Sequence, residues 1–128
     1  MAVYNPQYPD ALQRRLQCQD TTLLVVCFCA AWCDTCTTYQ ADFEALANAW
    51  PAAMFIWIDI EEHSELLGEE DIENFPTVML QTRQNTVFFG EQPPQIGHLE
   101  RLIRTFNQDP AALRPVDGPP LLADILSA

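Results

Sequence analysis

Apolar and polar positions follow distinct rhythms along this chain, and each rhythm predicts an element. In residues 9–17, PDALQRRLQ, Leu12 and Leu16 stand four apart behind Pro9, the spacing of an amphipathic helix opening on proline. Residues 22–30, TLLVVCFCA, are apolar almost throughout, which predicts a strand covered on both faces and so central in a sheet flanked by helices. Cys36, Tyr39, Phe43, Leu46, Ala47 and Trp50 recur at helical spacing and stop at Pro51, predicting a helix from Asp34 to Trp50. Residues 53–60, AMFIWIDI, supply a second apolar strand. The acidic stretch from Glu61 to Ile72, with Leu66, Leu67 and Ile72, reads as a short, mostly exposed helix whose charges form a solvated face. Beyond Phe75-Pro76, the runs Thr77 to Gln81 and Thr86 to Gly90 are strand-like and meet across a turn at Arg83-Gln84-Asn85. Ile96, Leu99, Leu102, Ile103 and Phe106 form the buried stripe of a final helix.

Two strands bracketing a helix require a right-handed parallel crossover, and the closing hairpin adds an antiparallel pair. The expected fold is α/β, a central mixed sheet of four or five strands with helices on both faces and the strand at 22–30 between those at 53–60 and 77–81. Residues 1–107 make the domain. Residues 108–128 form a Pro-rich extension: Pro110, Pro115, Pro119 and Pro120 disrupt regular pairing before the apolar run LLADIL. Leu121, Leu122, Ile125 and Leu126 are costly to leave in water, so this run is expected to dock as a short helix on the domain or on a second copy, without being needed for folding. A monomer or weak dimer is expected.

Composition narrows the function. At 128 residues, 48% hydrophobic and 19% charged, the chain has the balance of one globular unit. Its net charge is −12, lysine is absent, and the six arginines (Arg14, Arg15, Arg83, Arg101, Arg104 and Arg114) are scattered. That excludes a clustered phosphate grip, so no nucleic-acid partner is expected, and it argues equally against anionic membranes and lysine Schiff-base chemistry. Residues 1–10 lack the basic and apolar regions of a signal peptide, and residues 22–32 are about half the ~20 residues of a membrane span, so a cytoplasmic protein is expected. Five cysteines, an odd number crowded between Cys18 and Cys36, suit thiol chemistry in a reducing compartment better than a disulfide scaffold.

The sharpest chemical signal is Trp32-Cys33-Asp34-Thr35-Cys36, a Cys-x-x-Cys where a buried strand gives way to a long helix. Helix N-terminal N–H groups favour an anion, so the first cysteine gains thiolate character and can attack a disulfide, while the second, one turn on, can reach the mixed disulfide. With Ala31-Trp32-Cys33-Asp34-Thr35-Cys36 after the strand and Phe75-Pro76-Thr77 about forty residues later, the chain resembles the thioredoxin family over roughly residues 8–106. The resemblance implies a thioredoxin fold and a protein-disulfide reductase that needs no cofactor or metal beyond a redox-active Cys33–Cys36 disulfide. It makes Cys33 the nucleophile, Cys36 the resolving thiol, Pro76 a cis-proline and Phe75 the residue whose backbone pairs with an extended substrate. Trp32 becomes part of an apolar substrate-facing rim. Protein disulfides are the implied substrates, and a reductase or glutathione the electron donor.

Several residues depart from that family. Asp34-Thr35 stands where thioredoxins usually have Gly-Pro, and Thr37 where they have lysine. Cys27 and Trp57 occupy the positions that match the family's buried acid and its neighbouring lysine, so proton transfer at Cys36 falls to water or to another carboxylate, Asp59 being the candidate. Asp34 sets a like charge beside any Cys33 thiolate, which points to a reducing couple rather than an oxidase.

Blander readings stand beside each signal. Structural zinc wants four ligands, and beyond the Cys-x-x-Cys only a strand pair and two distant histidines remain. Cys27 and Cys29 share a strand face and read as small core residues. Cys18 reads as incidental, and His63 and His98 as surface histidines with no partner in view. The function alternative to the reductase is a binding or assembly module that recognises one partner through the Phe75-Pro76 groove or the acidic segment, with minor redox activity.

Overall fold

The computed structural model describes residues 3–18, 21, 23–68 and 70–126. Thr22, expected in the first long strand, and the first two residues of the N-terminal segment lie outside them. In chain order the elements are β1 (Val3–Tyr4), α1 (Pro9–Leu16), β2 (Leu23–Cys29), α2 (Asp34–Ala49), β3 (Ala53–Asp59), β4 (Thr77–Gln81), β5 (Thr86–Glu91), α3 (Gly97–Gln108) and α4 (Leu122–Leu126). The sheet has five strands in the order β1-β3-β2-β4-β5. β1 and β2 run parallel to β3, whereas β4 is antiparallel to β2 and β5 antiparallel to β4, so the sheet is mixed as expected.

Every residue of β2 is buried, because alternate side chains serve two different cores. Leu23, Val25, Cys27 and Cys29 face a layer built from α2 (Cys36, Tyr39, Phe43) and α3 (Leu99, Ile103, Phe106). Leu24, Val26 and Phe28 face the opposite layer with Leu12 and Leu16 of α1. β2 is therefore the floor under the start of α2, and its last residue, Cys29, lies one short loop from Cys33.

Two departures from expectation have clear causes. β1, only two residues long, carries no periodicity of its own and exists because β3 offers it a parallel edge, Val3 opposite Phe55 and Tyr4 opposite Ile56. The helix expected over 61–72 is reduced to one 3-10 turn, Ser64–Leu67. Gly68 follows with φ 63°, a left-handed conformation that ends the turn, and a Cβ there would meet the Pro120 ring at 2.8 Å. Leu66 and Leu67 still reach the core beside Leu122 and Ala123. The extension thus occupies ground that a longer helix would have covered.

One buried side chain of β4 binds the extension, which also packs Leu122 and Ala123 into the second core layer. Gln81, at the end of β4, is fully buried; its amide nitrogen donates to Thr86 Oγ1 (3.0 Å) and to the carbonyls of Pro120 (3.2 Å) and Pro119 (3.4 Å). Its amide oxygen accepts from the Leu122 backbone N–H at 3.0 Å. Upstream, the Val116 N–H donates to the Thr86 carbonyl, and Gly118 lies against Thr86 and Phe89. Prolines that cannot pair as strand or helix are thereby satisfied through their carbonyls.

Candidate active site

The loop 30–33 turns the chain from β2 into α2, with the Cys33 N–H bonded to the Ala30 carbonyl at 3.1 Å. Cys33 is the N-cap residue, extended at φ −89° and ψ 115°, and its carbonyl accepts the Thr37 N–H. Its side chain is half-buried and packs against the α2-side core, while Asp34 beside it is exposed. One turn further, Cys36 faces the sheet and retains 2% exposure. Opposite this loop the Phe75–Pro76 peptide is cis, Pro76 is buried, and the Phe75 ring packs edge-on against Trp32, centroids 5.5 Å apart. Trp32 remains 68% exposed. Residues distant in sequence thus meet, with Trp32 on Phe75 and with Cys33 and Phe75 packed against the same core layer.

The disulfide is not where the motif suggested. Cys36 is bonded to Cys29, and Cys33 is free. The cause is the direction of the side chains: the inward stripe of α2 carries Cys36 onto the β2 face that bears Cys27 and Cys29, whereas the N-cap geometry leaves Cys33 at the rim. Cys29 is buried at 1% exposure, as a core residue should be, yet it is bonded chemistry rather than filler. Its signal in the sequence was parity: two residues from Cys27, it shares the face that meets the buried stripe of the following helix.

Cys27 Sγ lies 3.6 Å from Cys29 Sγ. Burial pushes the Cys27 thiol well above its ordinary value, so it carries its proton and, with Cys29 in a disulfide, is the only possible donor of this contact. Tyr39 lies in the same cluster, and its phenol is likewise raised, chiefly by burial, then by the charge Cys27 would carry once ionised at high pH, and by Asp42. Cys27 sits directly opposite Trp57 in the β2–β3 register, and Trp57 packs on Phe43 at 5.6 Å. These two positions are therefore a protonated thiol and an indole. Asp59 is opposite Cys29 in the β2–β3 register, and with Cys36, Gln40 and Glu62 it borders a cleft of about 350 Å³. Asp59 also accepts the Glu61 N–H at 2.8 Å.

The buried Cys27 makes stability pH-dependent with a definite sign. A thiol whose folded-state value is raised contributes stability that is complete below the unfolded value, near 9, and is lost as pH climbs past it. For the disulfide form, the unfolding free energy measured in urea is expected to fall as pH rises from 8 to 10, the slope steepening toward a limit of ~1.4 kcal/mol per pH unit. Cys27→Ala should flatten that fall; an equal slope in both proteins would refute the assignment.

A thioredoxin family model matches residues 6–104. The chain belongs to the thioredoxin family. It is 34% identical to Thioredoxin-1 of Schizosaccharomyces pombe over 67 residues, covering 52% of this chain and 64% of that one. It is 32% identical to Thioredoxin H-type 2 of Nicotiana tabacum over 72 residues, 55% of this chain and 61% of the relative. In both cases the chain spans less than two thirds of the relative's length. Among solved structures, a poplar wild-type thioredoxin h superposes with a TM-score of 0.69 at 21% identity, covering 85% of this chain and 99% of that chain. The thioredoxin fold is thus shared over most of this chain, in which Cys29 of β2 is bonded to Cys36 of α2.

Neither His63 nor His98 lines the cleft that Cys36 and Asp59 border, although the His63 backbone N–H donates to the Asp59 carbonyl at 3.0 Å. His63 is half-buried with Nδ1 3.6 Å from Glu65, and His98 is exposed at the start of α3.

Proposed function

We propose that the protein is a thiol-disulfide oxidoreductase that reduces protein disulfides in a reducing, cytoplasmic setting. The observation that carries this reading is the pair of cysteines at the start of α2, one at the rim beside Trp32, the other buried one turn behind it. Cys33, at the positive end of a 16-residue helix, attacks a substrate sulfur as the thiolate. One substrate thiol leaves, and a mixed disulfide remains on Cys33. Reduced Cys36 then attacks Cys33 Sγ, releasing the second substrate thiol and leaving the protein oxidised by two electrons. Trp32 and Phe75 supply an apolar rim for an extended segment, and the backbone at Phe75 is the pairing position. A reductase or glutathione restores the dithiol. No cofactor enters these steps.

The test is catalysed reduction of insulin by dithiothreitol. Turnover above the uncatalysed background supports the reading, and no turnover overturns it. The fact that Cys36 can be held by Cys29 favours a second reading, a binding module with minor redox activity. Partner capture unaffected by Cys33→Ser, in a protein without insulin reduction, would select that reading.

The couple is expected to lie nearer about −270 mV than about −120 mV, the values of a reducing and an oxidising member of this fold. Asp34→Asn removes a negative charge from the first turn of α2 and should shift the potential toward oxidising. Because Asp34 is exposed and solvent-screened, the shift should stay under about 30 mV. A reducing shift in a glutathione redox titration would contradict this role for Asp34.

A further inference from the structure

Four of the five cysteines form a line running inward from the surface. Cys33 stands at the rim, Cys36 is buried behind it and bonded to Cys29, and Cys29 touches Cys27 at 3.6 Å. The Cα atoms of Cys29 and Cys36 are 5.8 Å apart, a separation that a disulfide spans without moving either backbone. A resolving thiol in this position has two partners, one outward and one inward.

We propose that Cys29 is a third redox cysteine, which takes the disulfide inward from Cys33–Cys36 to Cys29–Cys36 and so returns Cys33 to a free thiol in the oxidised protein. This rests on the reading above, in which Cys33 attacks and Cys36 resolves. The step is an exchange with no net oxidation: the Cys29 thiolate attacks Cys36 Sγ, the Cys33–Cys36 bond breaks, and the Cys29–Cys36 bond forms. The electron pair leaves on Cys33. The Cys29 proton passes to solvent in the cleft that Cys36 borders, and Cys33 takes one up at the rim. In the reverse direction the proton returns to Cys29 from the cleft by the same route, while the Cys27 S–H, 3.6 Å away, offers a hydrogen bond to the departing Cys29 sulfur and keeps its own proton.

Two consequences distinguish this arrangement from a two-cysteine site. The inner disulfide has both sulfurs in residues at most 2% exposed, so direct attack by an external thiol is hindered and the half-buried Cys33 is the more accessible sulfur. The oxidised protein also keeps a nucleophile at its surface. With glutathione disulfide, the free Cys33 thiolate forms Cys33–S–S–glutathione and releases one glutathione, a monothiol reaction open to the protein even when its inner pair is oxidised.

The decisive measurement needs no variant. Wild-type protein is oxidised with diamide, its free thiols are blocked with iodoacetamide at native pH and then after unfolding, and it is cleaved with chymotrypsin. Cleavage after Phe28, Trp32 and Tyr39 separates residues 29–32 from 33–39. The expected product is those two fragments joined, with Cys33 alkylated in the native step. A disulfide confined within 33–39, with Cys29 alkylated only after unfolding, would overturn the proposal.

Cys33→Ser provides the independent check. It has four thiols when reduced, since the chain has five cysteines, and after diamide it should keep two, at Cys18 and Cys27. Four thiols remaining after oxidation would overturn the inner disulfide. The two levels of inference separate cleanly. Loss of insulin reduction in Cys33→Ser together with a 33–36 linkage leaves the oxidoreductase reading intact and removes only the role of Cys29. Full insulin reduction by Cys33→Ser removes both.

Discussion

Cys33→Ser should reduce insulin reduction to the dithiothreitol background, a loss of at least about 10³-fold, the scale on which deleting a covalent nucleophile acts. The serine hydroxyl keeps the size and the N-cap position but does not form the thiolate that exchange requires. Cys36→Ser should fail differently. It leaves Cys33 able to attack and unable to be resolved by the helix, so substrates accumulate as mixed disulfides on Cys33. Intact-mass spectrometry under non-reducing conditions reads both: adducts on Cys36→Ser and none on Cys33→Ser. Adducts on Cys33→Ser alone would reverse the two roles. The inner disulfide sharpens the comparison, because Cys36→Ser also deprives Cys29 of its partner and leaves Cys27, Cys29 and Cys33 as separate thiols.

Truncation after Asn107 should cost on the order of 4 kcal/mol or more while leaving the dithiol surface in place. Leu122 is 0% exposed, and removing a buried leucine side chain alone costs about 2–5 kcal/mol. Truncation also strips the Pro119 and Pro120 carbonyls and the Leu122 N–H from Gln81, a fully buried amide whose unmet hydrogen bonds cost about 1–3 kcal/mol more. Solvent entering where the extension lay would recover part of the second amount. For a domain of this size the melting temperature should fall by roughly 15 °C, with insulin reduction retained below the new transition. Leu122→Ala, at about 3 kcal/mol, isolates the packing contribution. Unchanged melting in both proteins would mean that the extension does not dock in solution.

The legible part of this molecule was the part in which one residue pattern has one physical solution. A wholly apolar strand must be covered twice, and β2 is; a stripe ending at Pro51 must stop there, and α2 does. The Trp-Cys motif and the Phe-Pro motif were legible as a pair, and the structure brings Trp32 onto Phe75. What stayed hidden depended on long-range partners. β1 needs the edge of β3, and the acidic segment loses its helix where Gly68 turns left-handed under Pro120. The role of Cys29 stayed hidden for another reason: a cysteine on a buried strand face looks the same to periodicity whether it packs or bonds. Only the distance to Cys36 separates the two.

The closure of the second core by the extension also has a consequence in time. Leu122 is bonded to Gln81, 41 residues earlier, and lies in the layer that contains Leu12, Leu24 and Met79. A ribosome adding about 5–20 residues per second takes roughly 2–8 s to make that span. Throughout that interval β4 has already been synthesised but its buried glutamine and the neighbouring leucines have no cover. The nascent chain therefore presents a sticky apolar face while its redox surface is already encoded, and chaperone engagement should concentrate on chains between those two lengths.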